Sequence, residues 1–159
     1  MRCLSASSTI SDPFRAGAAI GEKLAPIAPE VVLVFFSINY SDRPEELLAG
    51  LRETLGPAPL LCGGSGDGVY ETGLVAHHGV TALGCHAEGH VRWSAVLERG
   101  VGRDTTAAAH AALSRLRHDL GTEPDLAFVL ADGVKADGSL LADALADRSG
   151  LLFGGLAGD

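Results

Sequence analysis

Two stretches of the chain repeat one pattern, and this repeat restricts the possible folds more than any other feature. Residues 29–67 begin with Pro-Glu and the apolar run VVLVFFS, and later reach LLCGG. Residues 124–159 begin with Pro-Asp and LAFVLAD, and reach LLFGG at nearly the same spacing. Each stretch predicts a strand, a crossover helix and a second, parallel strand, which is the unit from which α/β folds are built.

The helices of the two units are predicted from leucine stripes. Four leucines between Arg43 and Leu55 recur at helical spacing: Leu47, Leu48, Leu51 and Leu55. The second unit offers the equivalent positions Leu140, Leu141, Ala144 and Leu145. Both stripes are typical of amphipathic helices that pack on a sheet. Each second strand is expected to be short and to end at its glycine pair, which would then open a loop.

The segment between the two units has the pattern of short antiparallel strands. From Leu74 to Leu97, apolar and polar residues alternate, most regularly over residues 91–97, with turns expected at residues 78–79 and 87–89. Asp104 and Gly121 are expected to bound a following helix. The sequence therefore predicts an α/β fold with a mixed sheet from two duplicated strand-helix-strand units, an antiparallel meander between them, and helices packed on the sheet.

The whole chain, residues 1–159, is expected to form a single domain with the internal repeat at 29–67 and 124–159. The second unit stops where the first continues into its meander, so the chain is expected to be a fragment of a longer protein. An uncovered last strand would leave an exposed sheet edge, and such edges favour self-association.

Composition excludes several classes of partner. The formal net charge is -8, and the basic residues form no cluster of the kind that binds nucleic acid or an anionic membrane. No segment approaches the roughly 18 consecutive apolar residues of a membrane span. The three cysteines are odd in number and lack metal-site spacing, which argues against a disulfide framework and favours a cytoplasmic location.

Candidate ligand-binding residues follow the predicted strands. Ligands of open parallel sheets bind beyond the carboxyl ends of the strands, where glycine lets backbone amides approach a ligand closely. We expect the amides to suit a carboxylate, and Asp67 or Asp132 to meet an amino group. The candidates are Ser37, Asn39, Gly63, Gly64, Ser65, Gly66, Asp67, Asp132, Gly133, Gly154, Gly155 and Asp159.

The same glycine-rich segment does not fit known catalytic motifs. No Gly-Lys-Ser/Thr follows it, and it does not open a helix as a dinucleotide fingerprint does. Ser65 lacks the second glycine of a nucleophile elbow, since Asp67 stands there. Around residues 85–90, only two of the cysteine and histidine side chains could converge, which is too few for a structural zinc site. We therefore expect neither an enzyme nor a metal site, and tight turns without a ligand stay an alternative for the glycines.

The motifs together resemble the N-terminal part of a FIST domain, the F-box and intracellular signal-transduction family. The resemblance rests on VVLVFFS at 31–37, LLCGGSGDG at 60–68, HHG at 77–79 and LLFGGLAGD at 151–159. It implies a sensory domain that binds a small ligand such as an amino acid or a related metabolite. It also implies a signalling partner, such as a histidine kinase or a cyclic-dinucleotide enzyme.

Two alternative functions remain beside that expectation. The resemblance also implies a haem-based nitric oxide sensor, as some members of the family are, in which a histidine would hold the iron. Our first expectation is that the chain binds no cofactor. A protein-interaction scaffold without a small ligand is the other. The family usually carries a further C-terminal domain after the segment that ends at Asp159.

Overall fold

The computed structural model describes residues 1–146 and 150–157. The chain divides into two compact units, Met1–Trp93 and Ser94–Asp159, here called the first and the second unit. Each unit is described by itself.

The first unit is built on a mixed four-stranded sheet with the order β1-β6-β2-β3. Strand β2 pairs with β3 in parallel, whereas β6 runs antiparallel to both β1 and β2. The predicted α/β class with a mixed sheet is confirmed. The elements are β1 (Arg2–Ser8), α1 (Pro13–Leu24), β2 (Val31–Ser37), α2 (Pro44–Leu55), β3 (Leu60–Gly66), β4 (Val69–Glu71), β5 (Leu74–Ala76) and β6 (Val80–His86), with short 3-10 helices at Ala25–Ile27 and Ile38–Tyr40.

Local signals place the ends of the two helices. The Asp12 carboxylate accepts a hydrogen bond of 2.8 Å from the amide of Arg15, and Pro13 occupies the first turn of α1. Helix α2 starts at Pro44 and ends before Gly56. The Arg52 guanidinium donates to the carbonyl oxygens of Gly56 and Pro59, at 3.2 and 2.7 Å. These bonds fix the turn that leads from α2 into β3.

Both helices cover the same face of the sheet. Val32 and Val34 of β2 are buried in one cluster with Ile20 of α1 and with Leu47 and Leu51 of α2. Alternate residues of β2 point to the opposite face, where Leu33 and Phe35 are half-buried. The helix-covered face therefore holds the main core of the first unit.

Helices α1 and α2 approach each other closely because glycines lie at their contact. A Cβ atom at Gly17 would overlap the carbonyl oxygen of Leu47, and one at Gly50 would overlap the carbonyl oxygen of Phe14. Both glycines are buried. Side chains at these positions would push the helices apart, and the leucines of α2 would lose their place over the sheet.

We expect Gly17→Ala and Gly50→Ala to destabilise the protein, although alanine is normally the better helix former. The expected loss is about 2–3 kcal/mol per variant in the free energy of unfolding, measured by urea denaturation, because the added methyl group meets backbone. The control is Ala49→Gly, which removes a methyl group at an exposed position of α2 and costs only about 1 kcal/mol through propensity. An unchanged or raised stability of Gly17→Ala would contradict the close contact.

The strand expected over residues 91–97 is wrong, because residues 90–100 contain no strand. Instead, Glu30 ties the segment after β6 to the start of β2. Its carboxylate accepts hydrogen bonds from the Gly89 amide at 2.9 Å and from the Trp93 indole at 2.8 Å. The Gly89 amide lowers the pKa of Glu30 most, followed by the Trp93 indole. A tertiary contact of the tryptophan thus replaces the pairing that the alternation predicted.

The pKa of Glu30 makes this tie sensitive to acid. Because its pKa is lower in the folded chain than in the unfolded chain, its contacts stabilise the fold fully above the ordinary glutamate value of about 4.3. That stability is lost as the pH falls from there through the lowered pKa of Glu30. Trp93 is the one tryptophan of the chain, so its emission reports the contact directly.

We expect the emission of wild-type Trp93 to move to longer wavelength as the pH falls below about 4. Glu30→Gln, which cannot ionise, is expected to show part of this shift already at neutral pH and no step in the acid range. Glu22→Gln, a charge-matched change on the exposed side of α1, serves as the control and should behave as the wild type. An acid step of equal size in Glu30→Gln would show that another group titrates.

The second unit repeats the strand-helix-strand order after a longer helix. Its elements are α3 (Thr105–Leu120), β7 (Leu126–Asp132), α4 (Gly138–Ala144) and β8 (Leu151–Ala157). The helix predicted between Asp104 and Gly121 is confirmed: the Asp104 carboxylate accepts from the Ala107 amide at 2.9 Å, and Gly121 is left-handed. Strands β7 and β8 pair in parallel. Ala109 and Leu113 of α3 form the buried core with Leu145.

Candidate functional site

The glycine pairs lie inside strands, not in loops after them, which corrects the expectation from the sequence. Strand β3 continues through Gly63 and Gly64 to Gly66, and β8 continues through Gly154 and Gly155 to Ala157. The short strands predicted at residues 60–62 and 151–153 are therefore only the first halves of β3 and β8. The sequence could not show this, because glycine is usually depleted in strand interiors.

The first glycine of each pair is required by the same backbone contact. Gly63 lies opposite Val34 in the β2–β3 register, and Gly154 lies opposite Val129 in the β7–β8 register. A Cβ atom at either glycine would overlap the carbonyl oxygen of that valine. Their φ angles, 152° and 155°, are also nearly equal and unfavourable for other residues. This likeness supports the hypothesis that the two units arose by duplication.

The second glycine of each pair has a different environment. Apart from its two chain neighbours, a Cβ atom at Gly64 or at Gly155 would find no atom of residues 1–146 and 150–157 within 4 Å. Neither glycine has the positive φ of its partner. Their backbone is therefore open to approach from one face of the sheet, and contact with a ligand stays a prediction for them.

We expect alanine substitution to separate the two glycines of each pair. Gly63→Ala and Gly154→Ala should each lower the free energy of unfolding by about 3 kcal/mol or more, because the methyl group overlaps a carbonyl and φ is strained. Gly64→Ala and Gly155→Ala are matched controls and should change it by less than about 1 kcal/mol. Urea denaturation followed by circular dichroism measures both. Equal losses within a pair would contradict this division of roles.

The carboxyl edge of β2 and β3 brings together several residues expected to bind a ligand. Ser37 is buried, and its hydroxyl accepts a hydrogen bond of 3.2 Å from the Gly79 amide, so it serves the fold. Asn39 and Asp67 are exposed, and Ser65 is half-buried next to Gly66 at the end of β3. The side chains of these last three polar residues make no hydrogen bond within residues 1–146 and 150–157.

Tyr40 and His78 are a pair at this edge that the sequence did not reveal. Their rings stack at a centroid distance of 5.1 Å, and the Tyr40 hydroxyl lies 3.2 Å from Nε2 of His78. The same hydroxyl donates to the carbonyl oxygen of Ile10 at 2.7 Å. Burial raises the pKa of the Tyr40 phenol. The pair holds the ends of β1 and β2 to the turn before β6, and only the tertiary fold could show it.

In the second unit, Asp132 closes a turn at the end of β7. Its Oδ1 accepts hydrogen bonds from the amides of Val134 and Lys135, both at 3.0 Å, and its Oδ2 lies 3.1 Å from Nζ of Lys135. The Lys135 side chain lowers the pKa of Asp132 most. Gly133 donates to the carbonyl oxygen of Ala157 at 2.8 Å, where a Cβ atom would overlap. The last predicted residue, Asp159, lies outside the described residues.

An open cavity of about 1030 Å³ lies in the second unit beside this turn. Helix α3 and strand β7 form its floor, and residues 96–103 form a further wall. Its apolar lining includes Leu113, Leu116, Val129 and Leu141, while Asp132 and Lys135 contribute charge. Concave sites with a mainly apolar lining and a few polar groups are typical of small-molecule binding.

Small side chains on α3 leave room for this cavity. Ala108, Ala109 and Ala112 all line it, one turn apart or less along the helix. Ala109 and Ala112 also fit the apolar stripe that a helix between Asp104 and Gly121 would bury. Ala109 is indeed buried, but Ala112 is only half-buried. Alanine fits both a tightly packed helix and the wall of a cavity, so the cavity could not be predicted from these residues.

The cavity and the histidines of the described residues are separate. The cavity lining contains no histidine among residues 1–146 and 150–157, so this cavity offers haem iron no imidazole ligand. Within the same residues, no group of three or more histidine, cysteine or acidic side chains is placed to hold a metal ion. His86 is engaged with the carbonyl oxygen of Ala28 at 2.7 Å.

The fold is of the α/β class, and the second unit carries an open cavity with apolar and charged residues in its lining. The model of the FIST N domain family matches residues 30–159, which is most of the chain. The chain therefore belongs to the FIST N domain family, and it is a module of sensory and signal-transduction type. A search of curated proteins gives no match. In the described part of the chain, no helix is long and apolar enough to span a membrane.

Proposed function

We propose that the chain is a small-ligand sensor whose ligand is an amino acid, or a closely related metabolite, with a large apolar side chain. The observation that carries the proposal is the cavity of the second unit, with a charged pair beside an apolar lining. A free amino acid has the same two parts, a zwitterionic head and a side chain. Membership of the FIST N domain family supports a sensory role for such a site.

The charged end of the cavity suits the head of an amino acid. Nζ of Lys135 can donate to the ligand carboxylate, while the Asp132 carboxylate can accept from the ligand ammonium group. Both side chains are partly exposed in their mutual ion pair, so they can exchange it for contacts with a ligand. Charge-assisted hydrogen bonds of this kind are the stronger ones in proteins. The other charged residues of the lining are Glu98, Arg99 and Arg103.

The apolar end suits a branched or aromatic side chain. Leu113 and Leu145 are buried residues of the lining, while Ala108 and Ala112 leave space above the helix. Burying apolar surface contributes roughly 25 cal/mol per Å², so a ligand with a large side chain gains most from this site. Glycine, which has no side chain, should bind weakly.

The role that we propose is binding without catalysis. The Ser65 hydroxyl makes no hydrogen bond to a histidine in the described part of the chain, so no base activates it there. Burial raises the pKa of the Cys62 thiol, which disfavours the reactive thiolate at neutral pH. As the output we propose a histidine kinase or a cyclic-dinucleotide enzyme, with support from the family alone.

The test is a titration of the 159-residue chain with leucine, phenylalanine and glycine. Calorimetry measures the binding, and thermal unfolding measures the change in stability. We expect leucine or phenylalanine to bind and to raise the unfolding temperature. At a ligand concentration of a hundred times Kd, binding should add about 2.7 kcal/mol to the free energy of unfolding. 4-Methylpentanoic acid and isoamylamine, which lack only the ammonium group and only the carboxylate of leucine respectively, should bind at least about tenfold more weakly.

Matched variants locate the site. Ala112→Leu fills the cavity and should abolish binding, whereas Ala111→Leu makes the same change on an exposed face of α3 and should bind as the wild type. Lys135→Gln should weaken binding about tenfold, while Arg92→Gln removes an exposed positive charge elsewhere and should not.

Normal binding by Ala112→Leu, with loss in Asp67→Asn, would move the site to the edge of β2 and β3. Absence of binding by all three amino acids would contradict the proposal.

A further inference from the structure

Two cysteines face each other across neighbouring strands of the first unit. Cys3 of β1 is the direct partner of Cys85 of β6 in the antiparallel register. Their sulfur atoms lie 3.4 Å apart, and both thiols are free. Opposite residues in antiparallel strands have Cα atoms about 4.5 or 5.5 Å apart, and disulfides span about 4.4–6.8 Å between Cα atoms. The backbone is thus already placed for a bond between these sulfur atoms.

The two thiols differ in access. Cys3 is exposed near the start of the chain, whereas Cys85 is half-buried on an interior strand that also pairs with Val31 of β2. Burial, together with the neighbouring Cys3 thiol, raises the pKa of Cys85 to about 11. A reagent in solution therefore reacts with Cys3 first, and Cys85 is close enough to react as the second thiol.

We infer that Cys3 and Cys85 form a redox-active dithiol, which a low-molecular-weight disulfide such as oxidised glutathione converts to a reversible cross-strand bond. The Cys3 thiolate attacks one sulfur of glutathione disulfide, forms a mixed disulfide and releases one glutathione thiolate, which takes up a proton. Cys85 then loses its proton to solvent, and its sulfur displaces the second glutathione from Cys3. Two protein thiols are oxidised, and one glutathione disulfide is reduced to two glutathione molecules.

The bond would join β1 to β6, which are the first and the last strand of the first unit along the chain. The loop closed between residues 3 and 85 contains α1, β2, α2 and β3, which are the elements of the main core. Closing a long loop restricts the unfolded chain, so the oxidised form should unfold at a higher denaturant concentration than the reduced form. The dithiol gives the first unit two redox states of different stability, separate from ligand binding in the second unit.

The experiment incubates the native 159-residue chain with oxidised glutathione and follows the products by mass spectrometry. We expect the loss of the mass of two hydrogen atoms, no retained glutathione, and a proteolytic fragment that links Cys3 to Cys85. Cys62→Ser should give the same product, because Cys62 is not part of the pair. A stable mixed disulfide on wild-type Cys3, a bond to Cys62 or a disulfide-linked dimer as the main product would overturn the inference.

Single variants and unfolding separate the roles of the two thiols. Cys85→Ser should stop at a mixed disulfide on Cys3, and Cys3→Ser should react about tenfold more slowly at Cys85, because a less acidic and less accessible thiol supplies less thiolate. In urea, the equilibrium constant for forming the Cys3–Cys85 disulfide in the Cys62→Ser chain should fall by about tenfold or more, because the unfolded chain no longer holds the two thiols together. An equilibrium that urea leaves unchanged would show that the fold does not pair the thiols.

Discussion

The contact between a valine carbonyl and a glycine on the neighbouring strand sets the geometry of both parallel strand pairs. At Gly63 and at Gly154, the backbone of the first strand occupies the space of a side chain. The strands can keep their register past this point only because glycine lacks a Cβ atom. On the helix-covered face of the first unit, α1 and α2 meet through Gly17 and Gly50 in the same manner. Missing side chains, rather than large ones, thus fix the closest approaches of backbone in this fold.

The sequence predicted best what neighbouring residues decide. Asp12 before Pro13 and Asp104 before α3 are caps whose hydrogen bonds reach only three residues ahead, so the starts of these helices could be predicted. The strand at VVLVFFS could be predicted from its continuous apolar run, which is typical of an interior strand such as β2. The family could also be predicted, since its motifs are short segments of contiguous sequence.

The failures came from contacts between residues far apart in the chain. Residues 91–97 alternate as a strand would, but the Trp93 indole binds the Glu30 carboxylate and no strand forms. The glycine pairs resembled loops because the carbonyl that excludes a side chain belongs to another strand. The same holds for the candidate site: Asp132 and Lys135 are local neighbours, but the cavity beside them depends on which face of α3 meets β7.

The unequal glycines of each pair have a consequence for the evolution of this family. Physical necessity alone can hold Gly63 and Gly154 unchanged, because backbone fills the position of a side chain at both. In the part of the chain that the structure describes, no such contact meets a Cβ atom at Gly64 or Gly155, so we expect alanine or serine there to cost the fold little. Mutation can therefore alter the second glycine freely in any lineage where nothing binds it. Retention of the second glycine across distant members would therefore point to a molecule that approaches this face of the strand.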